Sequence, residues 1–162
     1  MDDSMTAKLQ NDDTTSEKYL TFKIENGDYG IEISYITEIL GVQEITPVPH
    51  THNYVKGIIN LRGTIVPIID MRLRFGLPEI EYTDRTCIIV LSMTDMNVGL
   101  IVDEIQEVSD IDANCIQPPP KTQFNTTNSQ FVKAIGMVGV SVRQLLDVDM
   151  VFEIEDDDEL AG

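Results

Sequence analysis

Short runs of β-branched and aromatic residues, separated by turn residues, are the feature that most constrains the fold of this chain. In the first run Leu20, Phe22 and Ile24 alternate with polar residues, which is the period of a half-buried strand. Asn26-Gly27 follows at once and predicts a tight hairpin turn with positive φ angles. No segment keeps a helical period for more than about two turns. The sequence therefore predicts a mainly β protein.

Similar runs recur along the chain and predict further strands joined by short turns. These strands occupy residues 57–61 and 64–69, 87–93, 98–102 and 105–108, and 131–138 and 140–146. Many short strands at regular spacing are typical of a barrel or a sandwich. A chain of 162 residues is long enough for one large barrel or for two small ones.

Capping residues predict three short helices between these strands. Ser34 is expected to cap a helix that ends at Gly41. Asp70 is expected to cap a single turn that follows it, and Asp147 a last short helix near the end of the folded part. All three helices are too short to form a layer of their own, so the strands decide the fold class.

The charge of the chain is concentrated at its ends. The formal net charge is −17, and residues 153–162 hold six acidic residues and no basic one. We predict a disordered acidic tail over residues 1–17, a folded domain over 18–152 and a solvated acidic tail over 153–162. Because phosphate groups bind basic surfaces, an acidic protein is an improbable partner for nucleic acid or for anionic membranes.

No segment resembles a targeting or membrane-spanning signal. The first residues lack the positive start and the apolar stretch of a secretory signal. The apolar run over 87–91 is far too short to cross a bilayer. Cys87 and Cys115 have neither the spacing of metal ligands nor that of a disulfide framework. We therefore expect a cytoplasmic protein without membrane insertion.

Candidate chemistry is sparse. The chain lacks a Gly-rich phosphate loop and a Gly-x-Ser-x-Gly nucleophile elbow. His50 and His52 are the only histidines, and they have no third ligand nearby in sequence, so we expect no metal. Arg62, in the turn Arg62-Gly63, is expected to project from a hairpin tip, and arginine is enriched at protein interfaces. We expect no cofactor and no enzymatic activity.

Residues 54–72, YVKGIINLRGTIVPIIDMR, resemble the central signature of CheW-type chemotaxis coupling proteins. That signature has a Gly, then Asn-Leu-Arg-Gly, then an apolar strand that closes in Pro-x-x-Asp-Leu-Arg, and only Met71 departs from it. Residues 98–108, VGLIVDEIQEV, resemble a second run of the same family. The last hairpin matches less well, because Ala134 stands where family members usually have Gly. The resemblance spans residues 18–152.

The resemblance implies two packed five-stranded SH3-like β-barrels that act as a non-enzymatic scaffold. Such proteins bind the regulatory domain of the histidine kinase CheA and the cytoplasmic tip of chemoreceptors, and so build arrays at the inner face of the membrane. We expect a monomer in isolation and an apolar groove near Glu38 and Arg62 that takes the helical receptor tip. From their places in or near the motifs, the residues expected to contact partners are Ile36, Glu38, Gly57, Arg62, Ile65 and Val108.

Three other functions stay open at this level. A CheW-like scaffold of a twitching or developmental chemosensory system would have the same sequence pattern. A small-molecule-binding β-barrel or a hydrolase would need an enclosed polar pocket with converging titratable groups. An apolar groove that is open to solvent would distinguish a coupling protein from these last two classes.

Overall fold

The computed structural model describes residues 16–120 and 129–153, and this part of the chain is mainly β structure. Its strands are β1 (Ser16–Ile24), β2 (Gly27–Glu32), β3 (Ile36–Gly41), β4 (Val55–Leu61), β5 (Thr64–Asp70), β6 (Cys87–Ser92), β7 (Asn97–Val102), β8 (Glu104–Asp112), β9 (Ile116–Gln117), β10 (Val132–Val138) and β11 (Ser141–Leu146). Two short α-helices, Met71–Arg74 and Val148–Phe152, and three 3-10 turns complete it.

The strands form two sheets, and in the sequence all the strands of one sheet lie between strands of the other. The five-stranded sheet has the order β3-β6-β7-β5-β4 and comes entirely from the middle of the chain. The six-stranded sheet has the order β8-β1-β2-β11-β10-β9, and the parallel pair of β2 with β11 joins its two halves. Its sixth strand, β9, has only two residues. The predicted mainly β architecture with a few short helices is confirmed.

The five-stranded sheet is closed by the segment that follows β3. Its outer strands are β3 and β4, and Thr46 pairs with Ile58 of β4 through two backbone hydrogen bonds of 2.9 Å. Gly57 lies at this crossing: a Cβ placed there would be 2.0 Å from the Thr46 carbonyl oxygen, and its φ is +147°. Only glycine permits this approach and this φ angle without strain. The closure curls the sheet into a barrel.

The apolar run of β6 is continuous rather than alternating because both faces of this strand are buried. Ile88 and Val90 lie in a core cluster made only by the five-stranded sheet, whereas Ile89 and Leu91 lie in a larger cluster shared with the other sheet. All four side chains are fully buried. A strand that is buried on both faces needs apolar residues at every position. The largest core therefore lies between the two sheets and holds them together.

The two α-helices begin where their capping residues predict. The Asp70 carboxylate accepts hydrogen bonds from two backbone N–H groups at the start of Met71–Arg74. The Asp147 carboxylate does the same at the start of Val148–Phe152. Each cap satisfies N–H groups that the short helix cannot satisfy internally, and contributes about 1 kcal/mol.

The helix predicted between Ser34 and Gly41 is wrong. A 3-10 turn at Ile33–Tyr35 leads instead into β3, which pairs antiparallel with β6. The side chains of β3 alternate between half-buried and exposed, which is the period of a strand. Pairing with the buried β6 outweighs the weak local preference for a helix, because propensity yields to tertiary packing.

The first hairpin is present, but its positive φ angle lies elsewhere than predicted. It falls on Glu25, at 57°, and not on Asn26-Gly27. The Glu25 N–H donates a hydrogen bond of 2.7 Å to Asp103 Oδ2, between β7 and β8. A contact with a distant part of the chain therefore accompanies this turn geometry, and the local sequence does not reveal it.

The predicted tails lie largely outside the described residues, which omit 1–15 and 154–162. The first strand begins at Ser16, slightly ahead of the predicted boundary at 18. No helix in residues 16–120 or 129–153 is long and apolar enough to span a membrane.

Candidate partner-binding site

Arg62 lies at the tip of the hairpin that joins β4 and β5, as predicted. The turn is held by a hydrogen bond of 2.8 Å from the Gly63 N–H to Asn60 Oδ1, and Arg62 and Gly63 both have positive φ angles. The Arg62 guanidinium donates to the Glu38 carboxylate on β3, and its side chain is still 71% exposed. The structure therefore brings together two of the predicted site residues, and their ion pair joins the tip of the β4–β5 hairpin to the outer strand β3.

Ile65 extends this exposed surface, whereas Ile36 does not. Ile65 is 56% exposed on β5, directly opposite Asn60 and close to the hairpin tip. Ile36 is half-buried and packs against the core between the sheets. An exposed branched apolar residue beside an exposed arginine is a composition typical of protein contacts. We call Glu38, Arg62 and Ile65 the hairpin surface.

Gly57 and Val108 lie apart from the hairpin surface. Gly57 is buried beneath Thr46, so it shapes the closed sheet and presents no side chain. Val108 is 54% exposed, but it belongs to β8 in the six-stranded sheet, opposite Leu20. The predicted residues are thus divided between an exposed surface, a buried closure position and a separate site on the other sheet.

An open groove lies between the turn that joins β6 and β7 and the last helix. Its volume is about 260 Å³. The lining residues are Met93, Thr94, Asp95, Met96, Val98, Asp149, Phe152 and Glu153. One wall comes from the five-stranded sheet and the other from the last helix, which follows β11 of the six-stranded sheet.

The groove was not located by sequence reasoning. The resemblance predicts an apolar groove near Glu38 and Arg62, but neither residue lines this one. The sequence feature that points to the groove is the pair Met93 and Met96, which flank a polar turn. Met96 is 52% exposed. Met93 packs partly against the core, whereas the exposed Met96 side chain is flexible and suited to an adaptable contact.

Arg72 connects the two sheets. Its side chain is only 9% exposed and donates to Asp103 Oδ2 at 2.6 Å and to the Glu25 carboxylate. Arg72 also donates to the Pro78 carbonyl at 3.0 Å. Arg72 belongs to the motif at residues 54–72 and Asp103 to the motif at residues 98–108. Residues of the two motifs therefore meet here and hold one sheet against the other. Because Arg72 is buried, removing its carboxylate partners would leave a poorly solvated charge.

The groups with shifted pKa values lie away from the groove. Burial raises the pKa of the Cys87 thiol, and burial is also the main cause of the raised pKa of Tyr82. A hydrogen bond from Lys23 lowers the pKa of the Asp28 carboxyl. None of these side chains lines the groove. The groove itself is lined by apolar side chains and by the acidic residues Asp95, Asp149 and Glu153.

The histidines lie in the loop before β4. His50 has a φ of 62°, and the His52 ring stacks on Tyr54 with ring centroids 5.0 Å apart. In the part of the chain that the structure describes, no group of three or more His, Cys, Asp or Glu residues is arranged to hold a metal ion. The visible role of His52 is ring packing.

Comparison with known proteins decides the family. The model of a family described as "CheW-like domain" matches residues 18–156. The chain belongs to the CheW-like family. The chemotaxis protein CheW of Klebsiella aerogenes is 33% identical over 144 residues, which are 89% of this chain and 86% of that protein. The chemotaxis protein CheW of Bacillus subtilis is 38% identical over 117 residues, 72% of each chain.

A solved CheW structure supports the same assignment. The crystal structure of the scaffolding protein TtCheW from Thermoanaerobacter tengcongensis matches with a TM-score of 0.79 and 32% identity, covering 86% of this chain and 94% of that one. CheW-like proteins are non-enzymatic adaptors that couple receptors and kinase in chemotaxis. The family and the chemotaxis coupling function predicted from the sequence motifs are therefore confirmed.

Proposed function

We propose that this chain binds the regulatory domain of a CheA-type histidine kinase and the cytoplasmic tip of chemoreceptors through two different surfaces. The proposal places it in the cytoplasm, recruited to receptor arrays at the inner face of the membrane. It acts without catalysis and is a monomer in isolation. Family membership supports the coupling role, and the separation of the groove from the hairpin surface supports two simultaneous partners.

The groove is the surface that we assign to the receptor tip. It is open, and Met93, Met96, Val98 and Phe152 give it an apolar floor and walls. An amphipathic helix binds such a groove by burying its apolar face. Methionine side chains adapt to the partner because three rotatable bonds let them fill irregular gaps. The observation that carries the proposal is this apolar groove, lined by the five-stranded sheet and the last helix of a CheW-like fold.

The hairpin surface is assigned to the kinase regulatory domain. An ion pair as exposed as that of Arg62 with Glu38 contributes only about 0–1 kcal/mol to stability. Its guanidinium keeps donors free for a partner, and planar donors of this kind meet carboxylates well. Ile65 adds apolar area beside it. In this proposal Gly57 and Ile36 act by shaping the sheet, and Val108 is a further contact on the six-stranded sheet.

Coupling then follows from assembly. When one surface is occupied, the partner at the other surface is held at a high effective concentration, so weak contacts give a firm array. Kinase activity changes only if this chain binds the active and inactive arrangements with different affinities.

Co-sedimentation tests the proposal. Native protein, Arg62→Glu and the control Arg85→Glu are each sedimented with the kinase and a receptor cytoplasmic fragment. Arg85 is a matched control because its side chain is 74% exposed and lies 3.8 Å from Glu104, away from the hairpin surface. We expect Arg62→Glu to lose the kinase from the pellet and Arg85→Glu to keep it. Equal co-sedimentation of all three proteins would show that the hairpin surface is not the kinase site.

A further inference from the structure

A single arginine holds one wall of the groove in place. Arg74 Nε donates to the Val151 carbonyl at 2.8 Å, and Arg74 Nη2 donates to the carbonyls of Met150 and Glu153 at 3.2 and 2.8 Å. The residues that accept these bonds belong to the last helix or follow it directly. Arg74 itself ends the other α-helix, which follows β5 of the five-stranded sheet. One side chain thus ties the C-terminal end of the last helix to the opposite sheet.

The guanidinium is itself fixed by aromatic rings. It lies 4.3 Å from the centroid of the Tyr54 ring and 4.7 Å from that of the Phe131 ring. An arginine that is stacked in this way loses little further freedom when it forms hydrogen bonds, because its planar donors are already oriented. The bonds also satisfy carbonyls at the helix end that have no partner within the helix.

Core packing holds the inner side of the last helix along its whole length. Val148 and Val151 are buried in the core between the sheets, so the inner side of the helix is held without Arg74. The groove wall is formed by Asp149, Phe152 and Glu153, of which Phe152 is half-buried and Glu153 is exposed. A helix of five residues has little stability of its own. The groove wall is therefore held by the partial packing of Phe152 against the core and by the Arg74 bonds, which reach as far as Glu153.

We propose that Arg74 is a positioning residue for receptor binding: it fixes the distance between the last helix and the turn that carries Met96, so that the groove admits a helix. This inference rests on the proposed binding of the receptor tip in the groove. We expect that lysine does not replace Arg74, because a compact ammonium group has its three donors on one nitrogen and lacks the flat guanidinium face that lies over the two rings.

Calorimetric titration with a receptor cytoplasmic fragment tests the inference. Arg74→Met is expected to weaken binding by about tenfold, a size typical of residues that act through others. Arg74→Lys is expected to recover little of this loss. Hydrogen exchange should accelerate at the amides of Val151 and Phe152, whereas kinase binding at the hairpin surface should keep its native affinity.

Two control variants are needed. One distinguishes a loss of positioning from a loss of stability, and the other tests the groove as the receptor site. Val66→Ala truncates a fully buried valine in the core of the five-stranded sheet. Val66 does not line the groove, so the variant destabilises the fold without changing the groove lining. Met96→Asp places a charge on the groove itself. Val66→Ala should bind the fragment normally, and Met96→Asp should not bind it.

The outcomes are distinct. If Met96→Asp loses binding and Arg74→Met keeps it, the positioning role is wrong while the groove assignment stands. If both variants bind like the native chain, the groove is not the receptor site and both proposals fail. If Val66→Ala weakens binding as much as Arg74→Met at an equal loss of melting temperature, the effect of Arg74 is one of stability, and the inference is overturned.

Discussion

Replacing Gly57 with alanine tests whether this motif glycine acts through the fold. The new Cβ would lie 2.0 Å from the carbonyl oxygen of Thr46, where ordinary contacts exceed 3.4 Å. The Thr46 segment must move away, and its two backbone hydrogen bonds with Ile58, each 2.9 Å long, are lost or stretched. The five-stranded sheet then loses the pairing that closes it.

The expected loss of stability can be worked from these contacts. Two backbone hydrogen bonds contribute about 1 kcal/mol each. An alanine held at a φ of +147° adds strain of about 1–2 kcal/mol. We therefore expect the free energy of unfolding to fall by about 3–4 kcal/mol, which lowers the melting temperature by about 10 °C in a protein of this size.

Urea and thermal unfolding, followed by circular dichroism, measure the change. Gly41→Ala is the matched control, because a Cβ at Gly41 meets nothing within 4 Å and the residue also lies in the five-stranded sheet. That variant should stay within about 0.5 kcal/mol of the native protein. If Gly57→Ala is as stable as Gly41→Ala and still loses partner binding, Gly57 is a contact residue and the closure argument is refuted.

Three further predictions concern other parts of the molecule. Arg72→Met should cost about 3 kcal/mol of unfolding free energy in urea, because it leaves the carboxylate of Asp103 without its buried partner; Asp103→Asn in the same chain should recover part of the loss, and no recovery would contradict the pairing. The hydrogen bond from Lys23 lowers the folded-state pKa of Asp28, so its stabilising effect is present above the ordinary value of 3.8 and is lost as the pH falls through the folded pKa. Asp28→Asn should therefore flatten the acid limb of the stability profile, and an unchanged limb would exclude this carboxyl as a cause. Deleting residues 155–162 should leave the melting temperature nearly unchanged, since a like-charge block is ordinarily solvated; a drop of several degrees would show that this tail is docked.

The sequence was sufficient wherever structure depends on neighbouring residues. Alternation at Leu20, Phe22 and Ile24 identified β1, because successive side chains of a strand point to opposite faces. The alternation did not predict that Tyr19 and Thr21 on the other face are buried too. The side chains of Asp70 and Asp147 identified two helix starts, since a cap acts on N–H groups two or three residues away. The motif over 54–72 identified the family and, through it, the coupling function.

The local sequence failed where a distant strand outweighed it. The segment between Ser34 and Gly41 has the apolar spacing of a short helix, yet it becomes β3 because β6 supplies a buried partner. The turn at Glu25 takes a positive φ angle that Asn26-Gly27 alone does not predict, and its N–H bonds Asp103. Neither partner is visible within a window of neighbouring residues.

The candidate site likewise contains features set by neighbouring residues and features set by distant contacts. The sequence by itself determined that Arg62 and Gly63 form an exposed hairpin tip, because turn chemistry is local. Only the tertiary structure placed Glu38 against Arg62, closed Thr46 over Gly57 and set Arg74 against a helix 77 residues later in the chain. The physical reason is that backbone preferences and caps act over a few residues. A groove between two sheets is made by side chains from distant segments, and their meeting depends on how the whole core packs.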